Sequence, residues 1–98
     1  MKISKPAIAG TLESSDLLVK VTPNQNGTLE VVVRSEVIKQ FGKQIRRVID
    51  DTLSKLEVSE GTVVVEDKGA LDYAIQARVQ AAVLRGAGSE ELNWEQLS

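Results

Sequence analysis

Between Ser35 and Leu56 the chain carries apolar residues at the spacing of an α-helix, and short β-branched runs flank it on both sides. Ile38, Phe41, Ile45, Val48, Ile49, Leu53 and Leu56 recur three and four apart, a period near 3.6. Lys39, Lys43, Arg46, Arg47, Asp50, Asp51 and Lys55 fill much of the opposite side. A helix with one apolar stripe must bury it against another layer, which excludes an all-β fold. Ser35 is expected to cap its N-terminus, with Glu36 in the first turn near the positive end of the dipole. Gly42 inside it costs about 1 kcal/mol relative to Ala, which points to close packing against a neighbour.

Before the helix, Asp16 to Thr22 places Leu17, Val19 and Val21 on one face of a strand. Thr28 to Arg34 does the same with Leu29, Val31 and Val33. The turn-rich Pro23-Asn24-Gln25-Asn26-Gly27 between them predicts an antiparallel hairpin. After the helix, Ser59-Glu60-Gly61 breaks the chain and Thr62 to Glu66 reads as a short central strand. Asp67-Lys68-Gly69 breaks it again. Leu71, Ile75, Val79 and Ala82 or Val83 then mark an Ala-rich second helix, closing at Gly86 as its C-cap. Ile3 to Leu12 can add an edge strand, although Pro6 limits its pairing.

The order (β)ββαβα calls for an α+β two-layer sandwich, a small mixed sheet with two helices on one face. The unit from Thr28 to Glu66 suits a right-handed parallel crossover. The expected organisation is a single domain over residues 1–98, with 1–16 as a leading segment and 87–98 as a polar tail.

The side chains that are missing narrow the chemistry. With no His and no Cys, no Ser-His-Asp triad, thiolate nucleophile or Cys/His zinc site can be assembled. A net charge of −2 offers no basic footprint for nucleic acid. Phe41, Tyr73 and Trp94 are the only aromatics, too few for base stacking. No apolar run reaches the length of a signal peptide or of a membrane span, so a cytoplasmic protein is expected.

Bland readings account for most of the remaining candidates. Asp50 and Asp51, like Arg46 and Arg47, fit a solvated helix face better than an acid/base pair or an anion site. Asp67 abuts a helix start and reads as a cap, beside Glu66. Gly86 and Gly88 end a helix rather than begin one, so they are punctuation and not a phosphate loop. Trp94, in the polar tail, docks either on its own domain or on a partner. The segment Ala9-Gly10-Thr11-Leu12-Glu13-Ser14-Ser15-Asp16 is different. It is a polar stretch with adjacent hydroxyls between apolar runs, and an exposed Ser there is a place to attach a group that the chain itself lacks.

Met1-Lys2-Ile3 and Pro6-Ala7-Ile8-Ala9-Gly10-Thr11-Leu12-Glu13-Ser14 together resemble the acyl carrier (gamma) subunits of citrate lyase. Lys39-Gln40-Phe41-Gly42, Asp67-Lys68-Gly69-Ala70-Leu71-Asp72, Ala77-Arg78 and Trp94-Glu95 extend the resemblance along the whole chain. It implies a non-catalytic carrier in which Ser14 bears a 2'-(5''-phosphoribosyl)-3'-dephospho-CoA group through a phosphodiester. Ser15 follows where other members can have Gly. The thiol of that group would hold acetyl and citryl thioesters. An alpha acyl-transferase subunit would exchange acetyl for citrate, and a beta citryl-lyase subunit would release oxaloacetate. A separate transferase would attach the group, and any Mg²⁺ would belong to the lyase subunit. The serine precedes a strand, unlike the Asp-Ser-Leu helix start of the fatty-acid carriers. The rivals are the related carrier of malonate decarboxylase and an interaction domain with no cofactor.

Overall fold

The computed structural model describes residues 1–88. Its elements are β1 (Ala7–Gly10), β2 (Leu17–Thr22), β3 (Leu29–Ser35), α1 (Ile38–Lys55), β4 (Gly61–Asp67) and α2 (Asp72–Gly86). They form one four-stranded mixed sheet in the order β1-β2-β4-β3, with β1–β2 and β2–β4 antiparallel and β3–β4 parallel. The α+β class and the element order are those anticipated, and β4 is central. Trp94 and the rest of the tail beyond residue 88 lie outside the described residues.

Alternation along the strands sets the core. Leu17, Val19 and Val21 of β2 and Val63 and Val65 of β4 are fully buried beneath the helices. Ile45, Ile49, Leu53 and Leu56 meet them from α1 and its C-terminal end, and Ile75, Val79, Ala82 and Val83 from α2. Burying each of the valine, leucine and isoleucine side chains among them stabilises the fold by about 1.5–3 kcal/mol. The stripe of α1 is not buried along its whole length: Ile38 and Phe41, near its start, are 44% and 49% exposed.

The hairpin expected between β2 and β3 does not form, because β4 lies between them. The reason lies in the loop and in the crossover. Asn24 donates to the carbonyl of Thr28 and to Thr62 Oγ1, and Gly61 N–H donates to the same carbonyl. The loop is thereby pinned across the start of β4 instead of tightening into a two-residue turn. The crossover through α1 lays β4 parallel to β3, and the gap beside β2 pairs both edges of its valine run.

Helix ends and glycines bring further corrections. Ser35 is the last residue of β3 and not the cap of α1; its hydroxyl donates to Asp67 and accepts from Val37 N–H. Asp67 is buried and caps no helix. Its carboxylate accepts from Gly69 N–H and Ala70 N–H, closing the turn between β4 and α2. Gly42 touches no neighbouring element: a Cβ there would meet only Ile38 of its own helix, at 2.9 Å. Gly86 remains inside α2, where a Cβ would come within 2.5 Å of Val21 Cγ2. The left-handed residue that follows the helix is Gly88, with φ +66°.

Candidate functional site

Of the polar segment Ala9–Asp16 singled out in the sequence, Ala9 and Gly10 end β1, and residues 11–16 form the loop joining β1 to β2. Its closure depends on Gly10, which has φ +94°. A Cβ on Gly10 would lie 1.9 Å from the Leu17 carbonyl oxygen, so only glycine fits. The next residue completes the closure, Thr11 N–H donating to that carbonyl at 3.1 Å.

Asp16 organises the interior of the loop. Its carboxylate accepts from Leu17 N–H at 2.7 Å and from the Thr11 hydroxyl at 2.8 Å. Arg78 of α2 reaches the same carboxylate in a forked contact, Nε at 3.2 Å and Nη2 at 2.9 Å. The Arg78 hydrogen bond, followed by those from Leu17 and Thr11, holds the Asp16 carboxyl below its ordinary value. The loop is also fastened to the segment after β4. Ser15 N–H donates to the Lys68 carbonyl and Lys68 N–H to the Asp16 carbonyl, each at 2.9 Å. Lys68 turns its ammonium to Glu36 at 2.9 Å, which raises its pKa.

What this framework presents is Ser14. The residue is exposed, and among the described residues its hydroxyl makes no hydrogen bond. Ser15 is exposed too, but its backbone is held by Lys68 and has φ +65°, a left-handed conformation that favours glycine. This is a physical reason for glycine to suit that position. A serine hydroxyl open to solvent on a braced loop has room for a bulky covalent substituent, so the residues fit a covalently borne group. Lys68 and Arg78 are already committed to Glu36 and Asp16, so neither is a ready phosphate clamp.

The other candidates stay apart from this loop. Asp50 accepts from Arg46 Nε at 3.0 Å along the exposed face of α1, and Asp51 is exposed beside it. Glu66 faces Arg34 at 3.8 Å. Among the described residues no group of acidic side chains is arranged to hold a metal, and no helix is long and apolar enough to cross a membrane. Sequence reasoning missed the roles of Arg78 and Lys68, which lie far from the loop in the chain. The one available hint was an arginine, Arg78, within the Ala-rich second helix and well before its basic last turn at Arg85. A groove of about 320 Å³ between the start of α1 and the turn after β4, lined by Val37, Phe41, Ala70 and Leu71, was also not foreseen.

Residues 4–86 match the acyl carrier family described as malonate decarboxylase delta subunit (MdcD). A protein of Albidiferax ferrireducens is 64% identical over 97 residues, covering 99% of both chains. One of Pectobacterium atrosepticum is 61% identical, covering 99% of this chain and 100% of its own. One of Enterobacter sp. is 56% identical over the full length of both. All three are called citrate lyase acyl carrier protein. A crystal structure of a Thermus thermophilus protein shares the fold, with a TM-score of 0.60 at 13% identity over 87% of this chain and 16% of the other. A family match over most of the chain and full-length relatives of one name lead to one conclusion: the chain belongs to the citrate lyase acyl carrier protein family.

Proposed function

We propose that residues 1–98 act as one carrier domain of a cytoplasmic citrate lyase, with Ser14 Oγ as the point of attachment for phosphoribosyl-dephospho-CoA. The observation that carries this reading is the exposed Ser14 hydroxyl, without a hydrogen-bond partner among the described residues, on a loop braced from both sides. When bound, the group supplies a thiol on a long flexible arm that holds acyl groups as thioesters during cleavage of citrate to oxaloacetate and acetate.

The chain's own part is mechanical. Gly10 closes the loop, and the Arg78–Asp16 contact ties it to α2. The Ser15–Lys68 and Lys68–Asp16 bonds tie it to the end of β4. The arm's root is thus fixed while its far end stays free, which makes each encounter with a partner site effectively intramolecular. The partners in this reading are the alpha acyl-transferase and beta citryl-lyase subunits, together with the transferase that loads Ser14.

Intact-mass measurement of the protein from cells fermenting citrate tests the proposal. The expected result is one added group, mapped to Ser14, and its loss in Ser14→Ala with the circular-dichroism spectrum unchanged. An unmodified native protein, or a group mapped to Ser15, refutes the assignment. Co-purification with decarboxylase subunits instead of lyase subunits would transfer the reading to the malonate system.

A further inference from the structure

The sheet has two edges, and they are built differently. Along β1 the edge is guarded. The strand runs only from Ala7 to Gly10, Pro6 precedes it, and Arg85 Nη1 donates to the Ile8 carbonyl at 2.8 Å. Along β3, from Leu29 to Ser35, none of these devices is present. The strand has no proline and carries three consecutive valines.

The hydrogen-bond phase of β3 follows from its neighbour. Leu29 is in register with Gly61, and Gly61 N–H donates to the Thr28 carbonyl. In a parallel pair alternate residues turn their backbone groups to the partner strand. Glu30, Val32 and Arg34 therefore address β4, while Leu29, Val31 and Val33 turn theirs to the open edge. Among the described residues no hydrogen bond reaches those outward groups of Leu29, Val31 and Val33.

The side chains of this strand are self-complementary. Glu30, Val32 and Arg34 share the face of the sheet that the helices leave open; Val32 is 42% exposed and the Arg34 side chain 70%. If a second copy of β3 is laid antiparallel with the two-fold axis at Val32, Val32 meets Val32 and each Glu30 meets an Arg34. In the same register Val31 lies opposite Val33, so the outward backbone groups form the hydrogen-bonded pairs. Glu30 and Arg34 then fall in the non-hydrogen-bonded pairs, where Cα atoms are about 4.5 Å apart and side chains are closest. Moving the register by two residues in either direction keeps the backbone phase but separates the charges. Each group already has an intrachain contact, Asn26 Nδ2 donating to Glu30 Oε1 and Arg34 Nη1 lying 3.8 Å from Glu66, but each contact uses only one atom of the carboxylate or guanidinium.

We propose that the open edge of β3 is a homodimer interface, joining two copies into one continuous sheet through the antiparallel register centred on Val32. The pairing is isologous, as closed two-fold symmetry requires. It leaves the β1–β2 loop free, because that loop lies at the opposite edge of the sheet. The proposal is independent of what Ser14 carries.

Sedimentation equilibrium on the full, unloaded chain from low micromolar to near-millimolar concentration tests it. The wild type is expected to form dimers. Glu30→Arg alone and Arg34→Glu alone each place like charges opposite one another and weaken the dimer by about tenfold or more. An equimolar mixture of the two single variants, and the double variant Glu30→Arg/Arg34→Glu, restore opposite charges and regain association. Circular dichroism verifies that each variant is folded. Amide exchange on the wild type gives a readout that needs no variant: protection at Val31 and Val33 rises with concentration. A wild type that stays monomeric throughout overturns the proposal, including the case in which the edge takes a strand from another protein. Dimers indifferent to the single reversals, a mixture no tighter than its components, or concentration-independent exchange at Val31 and Val33 overturn it as well.

Discussion

Arg78→Met removes the contact that ties the Ser14 loop to α2 while keeping an aliphatic stem beside Gly10. Two hydrogen bonds disappear, of 3.2 Å and 2.9 Å, both to the Asp16 carboxylate. A hydrogen bond to a charged group contributes about 1.5–3 kcal/mol, an exposed ion pair only about 0.2–1. With the Arg78 side chain 41% exposed and that of Asp16 18%, the loss falls between them, about 1–2 kcal/mol. Asp16 is not orphaned, since Leu17 N–H and the Thr11 hydroxyl still donate to it. For a domain of this size that loss lowers Tm by roughly 4–15 °C. The pH dependence separates the ion pair from mere packing. Because Arg78 holds Asp16 below the ordinary 3.8, the unfolded chain takes up the proton first as pH falls. The contribution is complete above 3.8 and is lost as pH falls through the lower value of the folded state. Urea unfolding of the wild type and the variant is expected to show a full gap near neutrality that closes in strong acid. A gap that persists unchanged in acid, or no gap at neutral pH, refutes the reasoning.

Two further substitutions probe the loop's backbone. Gly10→Ala sets a Cβ 1.9 Å from the Leu17 carbonyl oxygen and puts a side chain at φ +94°, so urea unfolding should show a loss of about 3 kcal/mol or more. Ser15→Gly relieves a side chain at φ +65°, and its unfolding free energy should rise by up to about 1 kcal/mol, with the added mass still mapping to Ser14.

The faces of the strands were legible because alternation is a local property. Leu17, Val19 and Val21 are buried as read, whichever strand lies beside them. The neighbours were not legible. Asn26-Gly27 marked a loop correctly, but a turn signal says where the chain bends and not which strand it bends to meet. The stripe of α1 was read at full length because periodicity carries no information about where the opposing layer ends; Ile38 and Phe41 extend past it. Ser35 and Asp67 were each read as helix caps on residue type alone, whereas they bond to each other at 2.8 Å at neighbouring strand ends.

The same distinction governs the site. The loop that carries Ser14 is contiguous in the chain, so its polar character could be read, whereas Arg78 and Lys68 come to the loop only through tertiary pairing. The strand order that the sequence concealed is what assembles them. Because β4 and not β3 lies beside β2, Leu17 is in register with Asp67. The antiparallel ladder therefore runs on one step, through Lys68 N–H to the Asp16 carbonyl and Ser15 N–H to the Lys68 carbonyl. A β2–β3 hairpin would have put Arg34 and Ser35 near that position and left the turn after β4 elsewhere. The motif read from the sequence is thus held in place by a pairing that no local pattern encodes. Substitutions that shift β4 should disturb the Ser14 loop even though they lie far from it in the chain.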